Sequence, residues 1–471
     1  MRLLISVEVA YMRFALGCVR VSVVLLLCLS AVVWGQTTGS ITGTVHDKSG
    51  AVVANAQVTV SNEAKGINRT TPSNASGEYL VAGLGQGTYN ITVTAEGFKK
   101  YEAKDVVLDV AQKARVDIAL EVGAISAEIT VEGTAVAQVE TQSSDLTGTV
   151  SGKEISQLQL NGRNFTQLVT LVPGVSSQTG QDEGTVGVYG NVAYSVNGGR
   201  TEYNNWELDG GDNMDNGSNT TLNVYPSLDA IGEFKVLTSN YGAQYGRSGS
   251  GTVEVETKSG TNAFHGDVYE FNRNTAYNAR NYFTDTRSSY KKNDYGYTIG
   301  GPVFIPGVYN KDKQKTFFFW SEEWRKEKVP GKNFNVTVPT TAERGGNFTD
   351  VCPAPGNDFS NCPHDPVTGL PFPGNIVPTS ANDQSAVTGL LALIPAPNSG
   401  ASTFLASPIL PTNWREELVR VDHNLTSNER LTFRYIHDSW DTISPTPLWT
   451  NAGSFPTIET NFKGPSVSSI A

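Results

Sequence analysis

Three aspartates, five asparagines and four glycines crowd into the twenty residues from Asn197 to Asn216, NGGRTEYNNWELDGGDNMDN. Carboxylate and carboxamide oxygens are the donors that calcium prefers, and glycine permits the tight turns that gather them. The regular twelve-residue calcium loop needs oxygen donors at its first, third and fifth positions and a Glu at its twelfth. Counted from Asp212, the third position is Met214 and the twelfth is Asn223; counted from Asp209, the third is Gly211. The pattern fails both ways, and no metal ligand set is assigned. Asp209, Asp212, Asn213 and Asp215 stay as candidates for a ligand-binding loop or an irregular cation site. The plainer alternative is that Asp, Asn and Gly make a turn between strands.

No other constellation offers catalysis. The chain has no HExxH, no GxSxG elbow and no P-loop lysine motif, and GLGQGTYN lacks the third glycine of a dinucleotide loop. We therefore expect no enzyme and no cofactor. The formal net charge of −11 and the lack of a basic run interleaved with aromatics argue against a nucleic-acid partner.

The first residues read as a targeting segment. Arg13 and Arg20 precede the apolar run VSVVLLLCLSAVV, which is short of the about 20 residues a membrane helix needs. Val33 and Gly35 suit cleavage before Gln36, so residues 1–35 are expected to be a signal peptide, with Met12 a more ordinary start than Met1. Bulky Leu27 argues against lipidation of Cys28. Export would remove three Arg and one Glu, taking the net charge from −11 to −13. It would also remove Cys18 and Cys28. Cys352 and Cys362 remain, ten apart in a Pro/Gly/Asn-rich stretch, and in an oxidising compartment such a pair reads as one local disulfide.

The elements that must position these residues are mostly β. From 39 to 121, ITGTVHD, AQVTVSN, EYLVAGL, TYNITVTAEGF and ARVDIAL alternate with turns. Tyr89, Ile91 and Val93 alternate with Asn90, Thr92 and Thr94, which gives one buried and one wet face of a β-sandwich. The segment resembles the carboxypeptidase regulatory-like domain, a transthyretin-like sandwich, through Gly43, Val45, Asp47, Gly50, Ala51, Gly77, Tyr79, Leu84, Gly87, Tyr89, Gly97 and Phe98. Its one histidine, His46, has no catalytic partner. Residues 122–144 read as a linker with one β-prone island, AEITVEG, which by itself is an edge strand or plain linker.

From 145 to 257 two short helices come first. SGKEISQLQL has a Ser cap and a Glu three residues on, and NFTQLVTLVPGV has an Asn cap and a stop at Pro173-Gly174. Glu202 to Leu208 reads as a strand with Trp206 and Leu208 in the core, followed by a turn from Asp209 to Asn216. The motifs LNGRNFTQLVTLVPGV, VNGGRTEYNNWELDGGDN, IGEFKVLTSNYGAQYGRSGSG and VEVETKSGTNAFHGDVYEF resemble the plug domain of TonB-dependent outer-membrane receptors, in their Oar-like branch.

From 262 to 471 five long strands alternate apolar and polar residues: FHGDVYEFNRN, NDYGYTIGGPVFI, KTFFFWSEEWRKEKV, WREELVRVDHNL and ERLTFRYIHDSW. A soluble sandwich would explain the alternation. The aromatic density and the long-short-long loop rhythm favour a membrane barrel. Relatives close into barrels of about 22 strands, so this stretch is expected to be the first strands of an incomplete transmembrane β-barrel, and the chain a fragment or a truncated reading frame.

The resemblance implies a function. The chain would lie in the outer membrane, contacting its lipid, with the sandwich and plug on the periplasmic side or in the lumen. It would import a small-molecule, carbohydrate or peptide ligand with energy from a TonB-type coupling complex. The coupling strand needs an exposed β-prone segment ahead of the plug, which Glu128, Ile129, Thr130 and Val131 supply. A surface carbohydrate-binding or adhesion protein is the alternative.

Overall fold

The computed structural model describes residues 38–123, 128–132, 142–178, 191–280, 287, 289–330, 334–352, 362–378, 384–406, 408–444, 460–463 and 467–470. The targeting segment, residues 1–35, lies outside them, as do residues 124–127 and 133–141 of the expected linker.

Nine short strands form the N-terminal sandwich: β1 (Gly39–Asp47), β2 (Gln57–Asn62), β3 (Ile67–Pro72), β4 (Glu78–Leu84), β5 (Gly87–Thr94), β6 (Lys100–Leu108), β7 (Lys113–Arg115), β8 (Ile118–Leu120) and β9 (Glu128–Glu132). One sheet has the order β4-β1-β7, with β8 also on β1; the other has the order β3-β2-β5-β6-β9. The period-two pattern of β5 works as expected, because Tyr89, Ile91 and Val93 are fully buried against Ile41, Val45, Val58 and Val60. Truncating one such side chain to Ala would cost about 2–5 kcal/mol. Buried phenols are satisfied: Tyr79 donates to the Val116 carbonyl at 2.7 Å and Tyr89 to that of Gly85 at 2.6 Å. The sandwich extends beyond 121, because β9 from the expected linker closes its sheet.

A central unit follows, with β10 (Leu146–Ser151), β11 (Val175–Ser177), β12 (Tyr194–Val196), β13 (Asn205–Leu208), β14 (Gly211–Asp212), β15 (Ile231–Ser239) and β16 (Thr252–Thr257). Five of these make a mixed sheet, β10-β15-β16-β13-β14. The helix Gly152–Gln157 carries the full capping box between Ser151 and Glu154. The Asn164-capped segment is a 3-10 helix over Phe165–Leu171, ending at Val172 ahead of Pro173-Gly174. Phe165, Leu168 and Val169 pack with Trp206, Phe234, Val236 and Val253.

The last unit is a wall of long antiparallel strands: β17 (His265–Asn274), β18 (Lys291–Pro302), β19 (Thr316–Pro330), β22 (Ile409–Asn424) and β23 (Arg430–Ser444), with short β24 (Thr460–Lys463) and β25 (Val467–Ile470) against β23. Between β19 and β22 a long loop carries its own ribbon of β20 (Phe334–Thr337) and β21 (Thr403–Ala406). Strands of 12 to 16 residues exceed the 9–11 or so that cross a bilayer. Short connections, 303–315 and 425–429, lie at one end, and the long ones at the other.

The wall is inverted relative to a soluble sheet. Its inner face buries Asp294, Glu323, Arg325, Glu327, Glu416, Arg420, Asp422, Arg434 and Asp438. Its outer face shows rows of apolar residues in register: Ile299, Trp320, Val419 and Tyr435, then Phe318, Val421 and Phe433. Tyr295 stacks on Trp324 at 5.6 Å further along. Charge inside and an apolar, aromatic band outside is the pattern of a sheet facing lipid. Among the described residues the sheet is open at β17 and at β24.

Candidate functional site

The site is the contact between the central unit and the inner face of the wall. Their cores are continuous: Phe319, Trp414, Leu418, Ile436 and Trp440 of the wall join the cluster built on Phe165, Trp206 and Phe234. Three polar junctions are set into this apolar contact.

The first is the turn after β13. Asp209 takes a left-handed backbone (φ 49) that Asp tolerates, and this aims its carboxylate at the wall. Its oxygens lie 3.1 Å from Arg420 and 2.9 Å from Arg434, and all three side chains are under 5 % exposed. The backbone N–H of Thr257 donates to the same carboxylate at 2.8 Å, and the Thr257 hydroxyl at 2.9 Å. Arg420 also reaches Asp422 at 3.2 Å and Glu256 at 3.6 Å, and donates to the Thr257 carbonyl at 2.8 Å. Arg430 closes on Asp422 at 3.2 Å. Burial pushes the Glu256 carboxyl above its ordinary range, against the pull of Arg420 and Lys65.

The second junction is the loop before β15. The backbone N–H of Tyr225 donates to Asp438 at 2.6 Å, and the hydroxyls of Ser227 and Ser321 meet at 2.9 Å. The third is Arg163, from LNGRNF. It pairs with Asp229, approaches Glu323 at 3.7 Å, and lies over the rings of Tyr269 (4.9 Å) and Phe271 (4.0 Å) on β17.

The four candidate loop residues are brought together in sequence but not around a void. Asp209 is committed to the two wall arginines. Asp212 pairs with Arg247. Buried Asn213 bonds both backbone groups of Val224, donating at 2.9 Å and accepting at 3.1 Å. Asp215 caps its own turn through the Gly217 N–H and the Ser218 hydroxyl, and these bonds hold its carboxyl below the usual range. In the structure each of these four side chains has a protein partner. The strand itself begins at Asn205, because Thr201–Tyr203 forms a 3-10 turn; Trp206 and Leu208 are core as expected. Among the described residues no His, Cys, Asp and Glu cluster fits a metal ion.

Of the arginines that matter, Arg163 lies within the motif LNGRNFTQLVTLVPGV, whereas Arg420 and Arg434 belong to no motif. The available signal was their placement: Arg420 and Arg434 alternate with apolar residues within strands of an outward-apolar wall, so they must point inward.

The sandwich also reaches this region. The backbone N–H of Val110 donates to Glu233 of β15 at 2.6 Å, and burial pushes that carboxyl up to about 8. The Asn424 carboxamide, at the end of β22, donates to the carbonyls of Lys65 (3.0 Å), Gly66 (3.1 Å) and Gln314 (2.9 Å). A Cβ on Gly66 would stand 2.1 Å from the Gln314 oxygen, and its φ is +63, so only glycine fits. A cavity of about 480 Å³ lies at this seam, lined by Lys65, Arg69, Glu256, Arg420 and Arg430 among others.

The candidate coupling segment is not a free strand: it is β9, parallel to β6. Cys352 and Cys362 are buried thiols in mutual contact rather than a bonded pair, and burial together with the neighbouring Cys362 pushes the Cys352 thiol up to about 11. They sit in the long loop, beside a cavity of about 1180 Å³ walled by Val338, Phe348, Phe372 and Leu391. There Arg344 donates to the carbonyls of Leu391 (3.4 Å) and Ile394 (2.8 Å), closing the end of the helix Gln384–Leu393.

Comparison with known proteins agrees with this architecture. Residues 256–468 match the outer membrane beta barrel domain, and residues 40–121 match the carboxypeptidase regulatory-like domain. The chain thus carries one stretch similar to an outer-membrane β-barrel domain and another similar to a regulatory-like sandwich. It is also similar to the TonB-dependent transporter Oar of Myxococcus xanthus, 25% identical over 300 residues. That alignment covers 60% of this chain and 26% of the relative, so the chain spans about a quarter of the relative's length. Solved structures with loose likeness include the ferric enterobactin receptor of Pseudomonas aeruginosa (TM-score 0.35, 11% identity, 63% of this chain and 33% of that one). The outer membrane transporter YddB of Escherichia coli is comparable (TM-score 0.32, 11% identity, 64% and 37%).

Proposed function

We propose that this chain acts in energy-coupled import across the outer membrane. Residues 145–257 serve as the plug, the wall of β17 to β23 as barrel, and the sandwich faces the periplasm. The ligand, of small-molecule, carbohydrate or peptide type, enters from the side of the long loops. The observation that carries this reading is the seating of the central sheet against the charged inner face of a wall whose outer face is apolar. A plug must block the lumen and yet be movable. Buried ion pairs suit that role, because they hold geometry strongly while intact and contribute little net stability over a well-packed apolar contact.

Residues Glu128, Ile129, Thr130 and Val131 are the segment through which a TonB-type partner pulls. Proline at Ile129 or Val131 removes a backbone donor and breaks strand pairing. In the full-length protein we expect this change to abolish accumulation of ligand by energised cells while leaving surface binding intact. Accumulation that survives the proline would reject the assignment. Binding that persists after collapse of the proton gradient, with no accumulation in the wild type either, would mark a surface binding protein instead.

A further inference from the structure

Lys65 and Arg69 of the sandwich are left over by the ion pairs of the seam. Asp209, Asp422 and Glu256 are already shared among Arg420, Arg430 and Arg434. Lys65 Nζ donates instead to the Gln86 carbonyl at 2.8 Å, and Arg69 donates to the carbonyl of Ala82. Among the described residues neither cation has a carboxylate within ion-pair distance, and the buried Nε of Arg69 has no partner. Arg430 stands beside them, its Nη1 donating to the Lys65 carbonyl at 3.5 Å. Burial pushes the Lys65 ammonium down to about 8, and Arg430 and Arg420 add to the fall against the pull of Glu256. Like charges gathered in this way repel one another, and an anion between them relieves the repulsion. Glu429, the acid of the 425–429 turn, is exposed and accepts from Thr426 of the same turn at 3.4 Å.

Lys65, Arg69 and Arg430 line one cavity of about 480 Å³, a size within the range of small-molecule sites. Another part of its lining is apolar. Leu425 and Leu431 border it, and each is more than half exposed. Leu431 lies two residues before Phe433 on β23, so it points to the same outward face as the row Phe318, Val421 and Phe433. The cavity therefore joins a cationic floor to the apolar face that meets lipid. A bare oxyanion would use the floor alone. An amphiphile with a phosphate at its polar end uses both parts, because guanidinium forks and an ammonium match phosphate oxygens while an acyl chain covers the leucines. We propose that this cavity is a site for the phosphate head group of a membrane phospholipid, held by Lys65, Arg69 and Arg430, with its acyl chain along Leu431 and Phe433. The lipid then ties the sandwich to the rim of the wall, since Lys65 and Arg69 belong to the first and Arg430 to the second. The site stands whether or not the import role does.

The test uses the full-length protein in a nonionic detergent, with short-chain phosphatidylglycerol as probe. Native mass spectrometry counts bound lipid, and hydrogen exchange reads residues 65–69 and 425–431. We expect one lipid per chain and slower exchange over both stretches. A diacylglycerol with the same chains, which lacks the phosphate, should produce neither effect. Lys65→Gln with Arg69→Gln should weaken binding by about tenfold or more, and Lys65→Arg with Arg69→Lys, which keeps both charges, should hold it within about threefold. Exchange in β5 checks that each variant keeps the fold. Leu431→Asn leaves the cations in place and should weaken the lipid but not inorganic phosphate; it decides the matter if the Gln pair disturbs β5. Inorganic phosphate bound as tightly as the lipid would overturn the lipid as occupant. Diacylglycerol bound as well as the phospholipid, no lipid bound, or lipid binding that the Gln pair leaves unchanged would overturn the site.

Discussion

Asp209→Asn isolates the charge of the first junction. Asparagine tolerates the left-handed backbone that Asp209 adopts, and its carbonyl oxygen still accepts from the Thr257 N–H. What is lost is one negative charge between two buried guanidiniums. Arg420 keeps Asp422 and Glu256 as partners. Arg434 is 1% exposed, and Asp209 is the acid beside it, so its charge is left uncompensated. Breaking a buried pair in this way costs about 3–5 kcal/mol. Taking about 3 kcal/mol, local opening of the turn should become about a hundredfold more frequent. Hydrogen exchange with mass spectrometry on the full-length protein reads this directly over 205–215, with exchange in β5 of the sandwich as an internal control. Arg434→Met in the same background should recover part of the loss, giving a coupling energy of more than about 1 kcal/mol in the double-mutant cycle. Unchanged exchange in Asp209→Asn, or additive effects in the cycle, would refute the view that this pair seats the turn on the wall.

Other outcomes follow from the same geometry. Calcium titration should leave the melting temperature and the exchange of 205–216 unchanged, because Asp209, Asp212 and Asn213 already have protein partners. An added oxidant should take two electrons and two protons from Cys352 and Cys362 and join them, seen as a loss of two hydrogen atoms in the intact mass, with slower exchange confined to the long loop; Cys352→Ser should remove both effects. The contact between sandwich and central sheet should depend on pH through Glu233, which faces Asp109, Glu256 and Lys235. Its carboxyl is raised from 4.5 to about 8, so it favours the docked state when protonated. That contribution is full below the unfolded value and is lost as pH rises from about 4.5 to about 8, and Glu233→Gln should abolish the dependence over that window.

Much of this fold is legible because β alternation is a local signal. Tyr89, Ile91 and Val93 announce their buried face, and the Ser151–Glu154 box announces a helix start, without knowledge of anything distant. The five long strands of the wall and their loop rhythm could be read for the same reason. The role of the Asp209 turn could not be read. Its composition is equally that of a metal loop and of a scaffold, and the difference lies in Arg420 and Arg434, more than two hundred residues away. The position of β9 was hidden in a similar way. EITVE looks like a free strand until it is seen in register beside Lys100–Lys104 of β6. Non-local strand pairing leaves no trace within a short window of sequence.

The inner face of the wall has a consequence for how the molecule is made. A strand such as β19 carries Glu323, Arg325 and Glu327 in succession on one side, and these charges can rest only against water or against opposite charges. While the wall is being laid into the membrane, its interior must therefore stay hydrated. Arrival of the central unit then expels that water, substituting Arg163 and the carboxyl-facing backbone of Tyr225 for solvent. The contact between the central unit and the wall is therefore a dehydrated one, and any loosening of it readmits water to the charges of the inner face.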